Sequence, residues 1–575
     1  MGTWRWHERR EQFARRRSLT RAAERGGDRE EIPYDSAMGE TRTGAELVQD
    51  FIAAFGIEYV FGNPGTTETT FLAALAGSSA TYVLALNEPS AVGVAAGYSL
   101  ATGKTAMVSL HTYPGLASGM FNLRNAYLSG VPLFVVNGTE DSRFLVHNPV
   151  LAGPNTQLAE TATKYQYEVR NIDELTVAMQ RCWVQAGLQP TRPVFLSVPM
   201  DFMQNSTERI TFKPTRVFDD TVSASIAQVA EALRSAEKLA IVVDYAVGWD
   251  RSVPAVTNLA VALGADVYAA PFHVQGVCDT LHPTFKGALP PTTKEVREIL
   301  SGYDTALLFG EKLDTFTYTG DQSVPPGLRM IQITPATEQL GFDWPVDIAV
   351  VGDIRASLIG ITRALGVDVD APTAGADVNP DRGALRATYS APDRDPSDVL
   401  IFAVLERFDT AATHVVTEGS SEDELVQKMA TAMGFRNVHF SPRGGALGWA
   451  MPLSVGISLA TDRPPVCFVG DGGSLFSVHS IWTAAALRLP VVFVCFVNHE
   501  YRLLKDLWVQ FMGSDFATTR FVGLDFDDPA LDLEAIMRGF GATTERLTVP
   551  ADAAVVIDRA VARRGPTVVF ADRRP

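Results

Sequence analysis

The sequence predicts an α/β protein of three consecutive domains, each built around a parallel sheet. The chain has 575 residues, which is about the length of three ordinary domains. Along most of it, apolar runs of strand length alternate with helical segments, a pattern typical of parallel sheets covered by helices on both faces. Two polar stretches, residues 205–220 and 368–397, separate these runs into three blocks of similar size.

The first block, residues 41–205, is predicted to be an N-terminal domain. An amphipathic helix at Gly44–Phe55 precedes a strand at residues 59–61 and a glycine-proline loop at residues 62–65. A helix rich in small residues is expected at residues 90–102. The remaining strands are predicted at residues 81–86, 105–110, 133–138 and 194–198.

The second and third blocks repeat this alternation. A central domain is predicted over residues 221–366 and a C-terminal domain over residues 398–575, joined by a linker at residues 367–397 that is rich in Pro, Asp, Gly and Ala. The central block contains no GxGxxG motif, so no dinucleotide site is predicted there. Strands are predicted at residues 239–243, 265–268, 305–309, 329–333 and 348–351 of the central domain, and at residues 415–417, 466–469, 491–497 and 567–570 of the C-terminal domain.

Composition narrows the class of protein. A formal net charge of −17 disfavours nucleic acid as a partner, because its phosphates would be repelled. Every apolar run is much shorter than the ~20 residues of a membrane span, so no membrane partner is expected. The four cysteines are scattered and form no CxxC pair, which disfavours both a zinc site and a disulfide framework and indicates a cytoplasmic protein.

Residues 1–40 differ from the rest of the chain. Nine arginines lie between residues 5 and 29, with few apolar residues among them. No apolar segment typical of a signal peptide follows these arginines. We expect a disordered basic tail, and Met38 is an alternative start of the protein.

The strongest chemical signal lies in the C-terminal block. A strand runs into Gly470-Asp471-Gly472-Gly473, a helix of about sixteen residues is predicted next, and the following strand ends just before Asn498. Asp471 and Asn498 are separated by one βαβ crossover, so both are expected at the carboxyl edge of neighbouring strands. Carboxylate and amide oxygens suit Mg²⁺, and glycines at a helix start let a phosphate approach main-chain N–H groups. A glycine-rich turn in an ordinary βαβ unit is the alternative.

These residues resemble the thiamine diphosphate binding signature, in which GDG is followed one crossover later by Asn. Other landmarks occur in the same order as in the benzoylformate decarboxylase branch of that family, which is close to the acetolactate synthases. They are Gly62-Asn63-Pro64-Gly65-Thr66, Leu86-Asn87-Glu88, Leu110-His111, His282-Pro283-Thr284-Phe285-Lys286-Gly287, Glu418-Gly419-Ser420-Ser421 and Leu447-Gly448-Trp449-Ala450-Met451-Pro452. The resemblance runs from about residue 43 to the C-terminus, and several motifs in order are more specific than one.

The resemblance implies two cofactors, thiamine diphosphate and Mg²⁺. In the family the cofactor lies between the pyrimidine domain of one subunit and the diphosphate domain of another, which correspond to the N-terminal and C-terminal blocks here. The central block would be structural. A homodimer is then the smallest active unit, and a homotetramer is expected because many relatives are tetramers.

Three residues are implied in catalysis. Glu88 matches the glutamate that hydrogen-bonds the aminopyrimidine of the cofactor and promotes the ylid that attacks the substrate carbonyl. His111 matches a histidine that handles protons and positions the substrate. Thr66 matches a serine that contacts the substrate carboxylate. Taken alone, Glu88 would be an ordinary acid at a helix start and His111 an ordinary core histidine.

The same resemblance assigns the metal and the rest of the cofactor to the C-terminal block. Asp471 and Asn498 would bind Mg²⁺ through side-chain oxygens, and Glu500 through its main-chain carbonyl. The carbonyl of Gly445 would meet the 4′-amino group of the cofactor, and Leu447 would support its bent shape. The diphosphate is assigned to Gly470, Gly472, Gly473, Ser420 and Ser421.

Thr112, Leu503 and Leu507 are expected to line the substrate pocket. Leu503 replaces a small residue of the benzoylformate enzyme, which narrows the pocket and favours aliphatic or branched substrates. The alternative is that both leucines are only the buried face of a helix. The second active-site histidine of that branch falls near Thr317, where this chain has none, and His273 belongs to a different loop.

Together these features predict the non-oxidative decarboxylation of a hydrophobic 2-oxo acid, aromatic or branched, to an aldehyde. A carboligase resembling acetolactate synthase or benzaldehyde lyase is the main alternative, because the cofactor chemistry is shared and the acceptor pocket decides. The missing histidine near Thr317 favours that alternative slightly. A degenerate, non-catalytic relative is a third possibility, against which the intact Glu88, Asp471 and Asn498 argue.

Overall fold

Three parallel sheets follow one another along the chain. The structure is a computed structural model that describes residues 40–218, 220–272, 276–313, 315–368, 380–389, 394–439, 443–461 and 463–573. Each sheet has six strands, all of them parallel, so the predicted fold class is confirmed. The predictions for residues 1–39 and for part of the linker lie outside the described residues. Within the described ranges, no helix is both long enough and apolar enough to cross a membrane.

The N-terminal sheet has the strand order β3-β2-β4-β5-β7-β6. This sheet and the antiparallel pair β1–β8 are formed by β1 (Thr41–Thr43), β2 (Tyr59–Gly62), β3 (Thr81–Leu84), β4 (Ala106–His111), β5 (Leu133–Thr139), β6 (Tyr165–Glu168), β7 (Val194–Pro199) and β8 (Ser206–Glu208). The helices are α1 (Gly44–Phe55), α2 (Thr69–Ala76), α3 (Glu88–Thr102), α4 (Thr112–Leu128), α5 (Asn155–Glu160) and α6 (Leu175–Gly187). The edge strand β6 was not predicted, because its sequence YQYE is polar and only partly buried.

The central sheet has the order β11-β10-β9-β12-β13-β14. Its strands are β9 (Leu239–Val243), β10 (Asp266–Ala269), β11 (Phe285–Ala288), β12 (Thr305–Phe309), β13 (Arg329–Thr334) and β14 (Ile348–Val351), and its helices are α7 (Ile226–Arg234), α8 (Tyr245–Trp249), α9 (Val253–Leu263), α10 (Thr293–Leu300) and α11 (Ile354–Leu365). The chain leaves β9 towards β10 on one side and later returns to β12 on the other. A topological switch point therefore lies between β9 and β12.

The C-terminal sheet has the order β16-β15-β17-β18-β20-β19. Its strands are β15 (His414–Glu418), β16 (Asn437–His439), β17 (Val466–Gly470), β18 (Val491–Val497), β19 (Thr543–Leu547) and β20 (Pro566–Asp572). The helices after the central domain are α12 (Arg382–Tyr389), α13 (Pro396–Leu405), α14 (Asp423–Ala432), α15 (Ala450–Thr461), α16 (Asp471–Ser474), α17 (Ser480–Leu487), α18 (Arg502–Met512), α19 (Leu533–Gly539) and α20 (Ala553–Ala562). Helix α12 lies within the stretch predicted as linker, and its Tyr389 ring stacks on Phe402 at 5.3 Å.

The single helix of about sixteen residues predicted after Asp471 is wrong. The chain instead forms the one-turn α16, a series of turns at residues 475–479, and then α17. Two glycines and a serine make the first turn a weak helix, and the Ser474 hydroxyl donates to the Asp471 carbonyl at 2.7 Å. The break lets α17 start at Ser480 in a new direction while the GDGG loop stays at the end of β17.

Helices α3 and α15 join the N-terminal and C-terminal sheets through glycine-mediated contacts. A Cβ placed on Gly97 would lie 2.0 Å from the Leu453 carbonyl oxygen, and one on Gly456 would lie 2.0 Å from the Val94 carbonyl oxygen. The two backbones touch because neither glycine carries a side chain. Apolar residues of both helices share one buried core, so the two domains pack as one block.

Candidate active site

The carboxyl edge of the N-terminal sheet places Glu88 at the start of helix α3. The side chain of the preceding Asn87 accepts from the Ser90 N–H at 3.0 Å and so caps this helix. The Asn63 amide, from the loop after β2, donates to Glu88 Oε1 at 3.3 Å. A Cβ on Gly115 would lie 2.9 Å from the same oxygen, so glycine at this position keeps space free around the carboxylate.

His111 ends strand β4 and is oriented by Glu68, a residue that the sequence analysis missed. Glu68 is 2% exposed, and its Oε2 lies 2.8 Å from His111 Nδ1. The same carboxylate accepts from the Gly65 N–H at 2.9 Å and from the Thr67 hydroxyl at 2.6 Å. Because Nδ1 faces a carboxylate, we assign the ring proton to Nδ1, which leaves Nε2 able to accept one. The signal available in the sequence was an acid three residues after the loop glycine.

Thr66 and Thr112 lie on either side of this pair. Thr66 is exposed and begins a short 3₁₀ turn, directly after Gly65, whose added Cβ would lie 2.2 Å from the His111 ring. Thr112 is 1% exposed and has φ +48°, a left-handed conformation that is strained for a β-branched residue. Its Oγ1 is buried without a hydrogen-bond partner among the described residues. The structure thus brings the predicted Thr66, Glu88, His111 and Thr112 to one sheet edge.

The carboxyl edge of the C-terminal sheet gathers the residues predicted for the metal. Asp471 is 2% exposed, and its Oδ2 accepts from the main-chain N–H groups of Asn498 at 2.9 Å and His499 at 2.7 Å. The Asn498 Oδ1 accepts from the Glu500 N–H at 3.0 Å. His499 has a positive φ of +56°, and the chain turns there while the N–H groups of Asn498 and His499 both face the Asp471 carboxylate. Asp471 and Asn498 are adjacent, as the βαβ spacing predicted.

This oxygen-rich edge fits a hard divalent cation. Asp471 Oδ1 and Asn498 Oδ1 each accept one hydrogen bond and so retain a lone pair. Carboxylate, amide and carbonyl oxygens are the ligands that Mg²⁺ takes. Among the described residues, no three His, Cys, Asp or Glu side chains cluster as a metal site. A metal here would therefore use one carboxylate, an amide oxygen and main-chain oxygens.

The GDGG loop and the turn after β15 supply main-chain N–H groups at the same edge. Gly470 is extended before α16, Gly472 and Gly473 are buried within it, and the Gly472 N–H contacts Asp471 Oδ1 at 2.8 Å. Ser421 is partly buried in the 3₁₀ turn Ser420–Glu422, and the Ser420 side chain lies outside the described residues. Short helical turns of this kind are suited to anion binding.

A second buried carboxylate, Glu418, shapes the segment that carries Gly445 and Leu447. Glu418 ends β15 and accepts from the main-chain N–H groups of Gly448 at 2.5 Å, Trp449 at 3.0 Å and Ala450 at 2.6 Å. It therefore caps helix α15 from outside the helix. Complete burial outweighs these donors and raises the pKa of Glu418 to about 7.

Helix α4 holds the other side of this segment. Its Asn122 amide donates to the Gly448 carbonyl at 3.1 Å, and its Asn125 amide donates to the Ala446 carbonyl at 3.0 Å. Gly445 has φ +71° and is exposed, and Leu447 is half-buried between the two anchored carbonyls. The predicted cofactor residues Gly445 and Leu447 thus lie between the N-terminal and C-terminal domains.

Helix α18 leaves its leucines accessible. Lys505 is its only buried residue, and its Nζ donates to Glu500 Oε2 at 2.5 Å and also to Asp525. Leu503 is 40% exposed and Leu507 is half-buried. The alternative that these two leucines are merely the buried face of a helix is therefore wrong.

The loop near Thr317 provides no histidine among its described residues. The Thr317 N–H donates to the Pro291 carbonyl at 3.0 Å, and its own carbonyl accepts from the Thr293 N–H at 3.0 Å. The aromatic side chains beside it, Phe316 and Tyr318, are 71% and 74% exposed. His273 lies outside the described residues.

Comparisons with known proteins agree with this architecture. Three models of the thiamine pyrophosphate enzyme family match the chain: the N-terminal TPP binding domain over residues 42–158, the central domain over residues 226–361 and the C-terminal TPP binding domain over residues 419–571.

The relatives span almost the whole chain. The benzoylformate decarboxylase of Pseudomonas aeruginosa is 28% identical over 90% of this chain and 97% of its own length. The acetolactate synthase large subunit of Haemophilus influenzae is 22% identical over 81% of this chain and 83% of its own. The solved structure of a thiamine diphosphate-dependent 4-hydroxybenzoylformate decarboxylase from Rhodococcus jostii matches with a TM-score of 0.80 and 25% identity, over 92% of this chain and 98% of that one. The chain therefore belongs to the thiamine pyrophosphate enzyme family, in the branch that includes benzoylformate decarboxylase and acetolactate synthase.

Proposed function

We propose that the protein decarboxylates a hydrophobic 2-oxo acid to an aldehyde with thiamine diphosphate and Mg²⁺. The observation that carries the proposal is the His111–Glu68 pair, which lies at the same sheet edge as Glu88. An oriented imidazole with one accepting nitrogen is suited to moving protons to and from a reacting carbonyl oxygen. A cytoplasmic location stays a prediction from composition.

The residues of the C-terminal sheet would hold the cofactor. Asp471, Asn498 and the Glu500 carbonyl would ligate Mg²⁺, whose charge neutralises a diphosphate. Leu447 would support the cofactor and the Gly445 carbonyl would accept from its amino group. The diphosphate would contact Gly470, Gly472, Gly473, Ser420 and Ser421. When bound, thiamine diphosphate supplies a carbon nucleophile for the 2-oxo group and an electron sink for the loss of CO₂.

The N-terminal sheet would carry out the proton transfers. Glu88 would hold a proton at the ring nitrogen of the cofactor, beside the Asn63 amide that keeps its carboxylate in place. Thr66 would bind the substrate carboxylate, and His111 would deliver the proton that completes the aldehyde. Thr112, Leu503 and Leu507 would shape a pocket for an aromatic or branched side chain.

We propose a homodimer as the active unit, with a tetramer built from two dimers. Exposed apolar side chains flank both halves of the site, and they would be covered by a second copy. Leu84 is 38% and Leu86 39% exposed just before Glu88, while Phe476 is 48% exposed just after the GDGG loop. Leu503, on α18, is also 40% exposed.

Carboligation is the second candidate. The described part of the loop around Thr317 offers only hydroxyl and aromatic side chains, so a donor that would hasten protonation is missing there. Slow protonation leaves time for a second carbonyl compound to react. A degenerate relative remains the third candidate, and it predicts no cofactor binding.

CO₂ release from a panel of 2-oxo acids tests these candidates. Benzoylformate, phenylpyruvate, a branched-chain 2-oxo acid and pyruvate would each be incubated with thiamine diphosphate and Mg²⁺, with and without an added aldehyde. We expect an aldehyde as the main product and a hydrophobic acid as the preferred substrate. A hydroxyketone as the main product would establish the carboligase instead, and failure to bind thiamine diphosphate would leave the non-catalytic relative.

A further inference from the structure

A buried ionic cluster joins all three domains beside the Gly445–Leu447 segment. It contains Arg192 from the N-terminal domain, Asp244 and Glu311 from the central domain, and Arg443 from the C-terminal domain. The Arg192 and Glu311 side chains are each 3% exposed, and those of Asp244 and Arg443 are each 2% exposed. Two cations therefore face two carboxylates with almost no access to water.

Hydrogen bonds tie one half of the cluster together. Arg192 Nη2 donates to Glu311 Oε1 at 2.6 Å, and the Tyr245 hydroxyl donates to the same oxygen at 2.5 Å. Arg192 also reaches the Tyr127 hydroxyl of α4 at 2.8 Å and Glu338 at 2.7 Å. This half connects the N-terminal domain to the central domain without involving Arg443.

Arg443 brings the C-terminal domain into the cluster. Its Nη2 lies 3.5 Å from Asp244 Oδ2, its guanidinium lies 4.7 Å from the centre of the Tyr245 ring, and its Nη1 donates to the Leu128 carbonyl at 3.0 Å. Leu128 is the last residue of α4, the helix whose Asn122 and Asn125 hold the Gly448 and Ala446 carbonyls.

The cluster occupies the switch point of the central sheet. Asp244 follows β9, and Gly310 and Glu311 follow β12, at the crevice where open α/β sheets usually bind ligands. A Cβ on Gly310 would lie 2.1 Å from the Asp244 carboxyl carbon, and the Glu311 N–H donates to Asp244 Oδ2 at 2.8 Å. The crevice therefore holds the carboxylate that pairs with Arg443.

We propose that Arg443 is a positioning residue for thiamine diphosphate, fixing the Gly445–Leu447 segment through Asp244 and the end of α4. The proposal rests on the proposed function, which assigns Gly445 and Leu447 to the cofactor. Glu418 and Asn122 already fix Gly448, directly after the segment, and Asn125 fixes Ala446 in its middle. Among the described residues, Arg443 is the side chain that anchors the start of the Gly445–Leu447 segment. It lies two residues before Gly445, which is exposed and has a left-handed backbone conformation.

Binding of thiamine diphosphate to the full-length protein tests this role. The dissociation constant would be measured in saturating Mg²⁺ by quenching of tryptophan fluorescence, together with the near-ultraviolet circular dichroism that the bound cofactor induces. The variants are Arg443→Met, Arg443→Lys and the double variant Asp244→Asn/Arg443→Met. Arg386→Met is the matched control, because Arg386 forms an exposed ion pair with Glu406 far from the segment in sequence.

We expect Arg443→Met to raise the dissociation constant at least ten-fold and to change the induced circular dichroism, while Arg386→Met stays within two-fold of the wild type. The double variant removes the orphaned carboxylate, so it should recover thermal stability but keep the weakened binding. The dissociation constant of Arg443→Lys should lie between those of the wild type and Arg443→Met. Lysine keeps the positive charge, but it cannot contact Asp244 and the Leu128 carbonyl with two separate nitrogens.

Two results would overturn the role. The first is a folded Arg443→Met variant that binds the cofactor as tightly as the wild type does. The second is wild-type affinity in the double variant or in Arg443→Lys, and this result decides the question if Arg443→Met does not fold. A wild-type protein that binds no thiamine diphosphate would instead overturn the proposed function itself.

Discussion

Glu68 shows how a single buried carboxylate can define the chemistry of its neighbour. It uses one oxygen for His111 Nδ1 and the Gly65 N–H and the other for the Thr67 hydroxyl. The carboxylate therefore fixes both the orientation of the imidazole and the nitrogen that carries its proton. The neighbouring Gly138 leaves room for it, because a Cβ there would lie 2.0 Å from Glu68 Oε1.

Replacing Glu68 with Gln tests this orientation. An amide keeps the size of the side chain but gives Nδ1–H a weaker acceptor, so we expect kcat to fall by about ten-fold or more. Glu58→Gln is the control, since Glu58 forms an exposed ion pair with Lys104. Steady-state kinetics of both variants would check the prediction, and equal kcat values would contradict a positioning role for Glu68.

Glu418 predicts a pH dependence of stability. Burial raises the pKa of this carboxyl from its ordinary value of 4.5 to about 7, so the folded state binds its proton more tightly than the unfolded state. The resulting stabilisation is complete below pH 4.5 and is lost as the pH rises through about 7, an effect on the order of 3 kcal/mol. We expect the melting temperature to fall between pH 5 and pH 8, and to fall less in Glu418→Gln.

The control for this pH dependence is Asp558→Asn, because Asp558 is an exposed partner of Arg407. It should keep the wild-type change in melting temperature between the two pH values. If Glu418→Gln also kept that change in full, another group would be responsible.

At the scale of helices and strands, the close contact of α3 with α15 determines how the two cofactor-binding domains meet. Gly97 and Gly456 bring each backbone against the other, and Gly93 leaves room for Pro452, whose Cγ would lie 2.6 Å from an added Cβ. Glu88 begins α3, and α15 follows directly on the Leu447 segment. The contact therefore fixes, within one chain, the spacing of two segments that a dimer would contribute to two separate sites.

Adding one methyl group at the contact between α3 and α15 should lower the stability of the folded protein. In Gly97→Ala the new Cβ would meet a main-chain carbonyl at 2.0 Å, which must move the helices apart and should destabilise the protein by about 1–3 kcal/mol. Gly187→Ala, at the end of α6, has its nearest neighbour at 3.9 Å and should be neutral or stabilising. Chemical denaturation would compare them, and equal stability of the two variants would show that the contact is loose.

The interior strands of the three large sheets could all be predicted from the sequence, whereas of the edge strands only β3 and β14 could. Strands β9, β12 and β18 are continuous apolar runs with flanking turns, so their sequence pattern was sufficient to predict them. The unpredicted strands are short or carry polar residues, because an edge strand buries less of its surface. They are β1, β6, β8, β11, β16 and β19.

The candidate site divides in the same way. Glu88, Asp471 and Asn498 lie on motifs with fixed spacing, so the sequence placed them at strand ends correctly. Glu68 and Arg443 were missed, because their roles depend on partners that lie far away in the sequence. The Glu68 pair forms within the N-terminal domain and the Arg443 pair between two domains, and no local sequence pattern records either one.

At the scale of the whole molecule, the two halves of the site lie on different sheets, and each is bordered by exposed apolar side chains. Leu86 borders the Glu88 half, and Phe476 and Leu503 border the Asp471 half. Exposed patches of this kind mark interaction surfaces. A second copy of the chain would cover them and complete the site.

Assembly should therefore be linked to activity. We expect sedimentation to give a dimer or tetramer, and specific activity to fall when the protein is diluted below the concentration at which dimers dissociate. Thiamine diphosphate with Mg²⁺ should shift that concentration downward, since it would bind across the interface. A stable monomer with undiminished specific activity would contradict the shared site.

The central claim is that Glu88 drives thiamine chemistry on a 2-oxo acid, and CO₂ release by Glu88→Gln tests it most directly. Wild type and variant would be compared at saturating, measured occupancy of thiamine diphosphate and Mg²⁺, with the acid that the wild type prefers. The account predicts that the variant retains cofactor binding through Asp471 and Asn498 but loses at least about 100-fold in rate. Equal rates of CO₂ release at equal occupancy would contradict it.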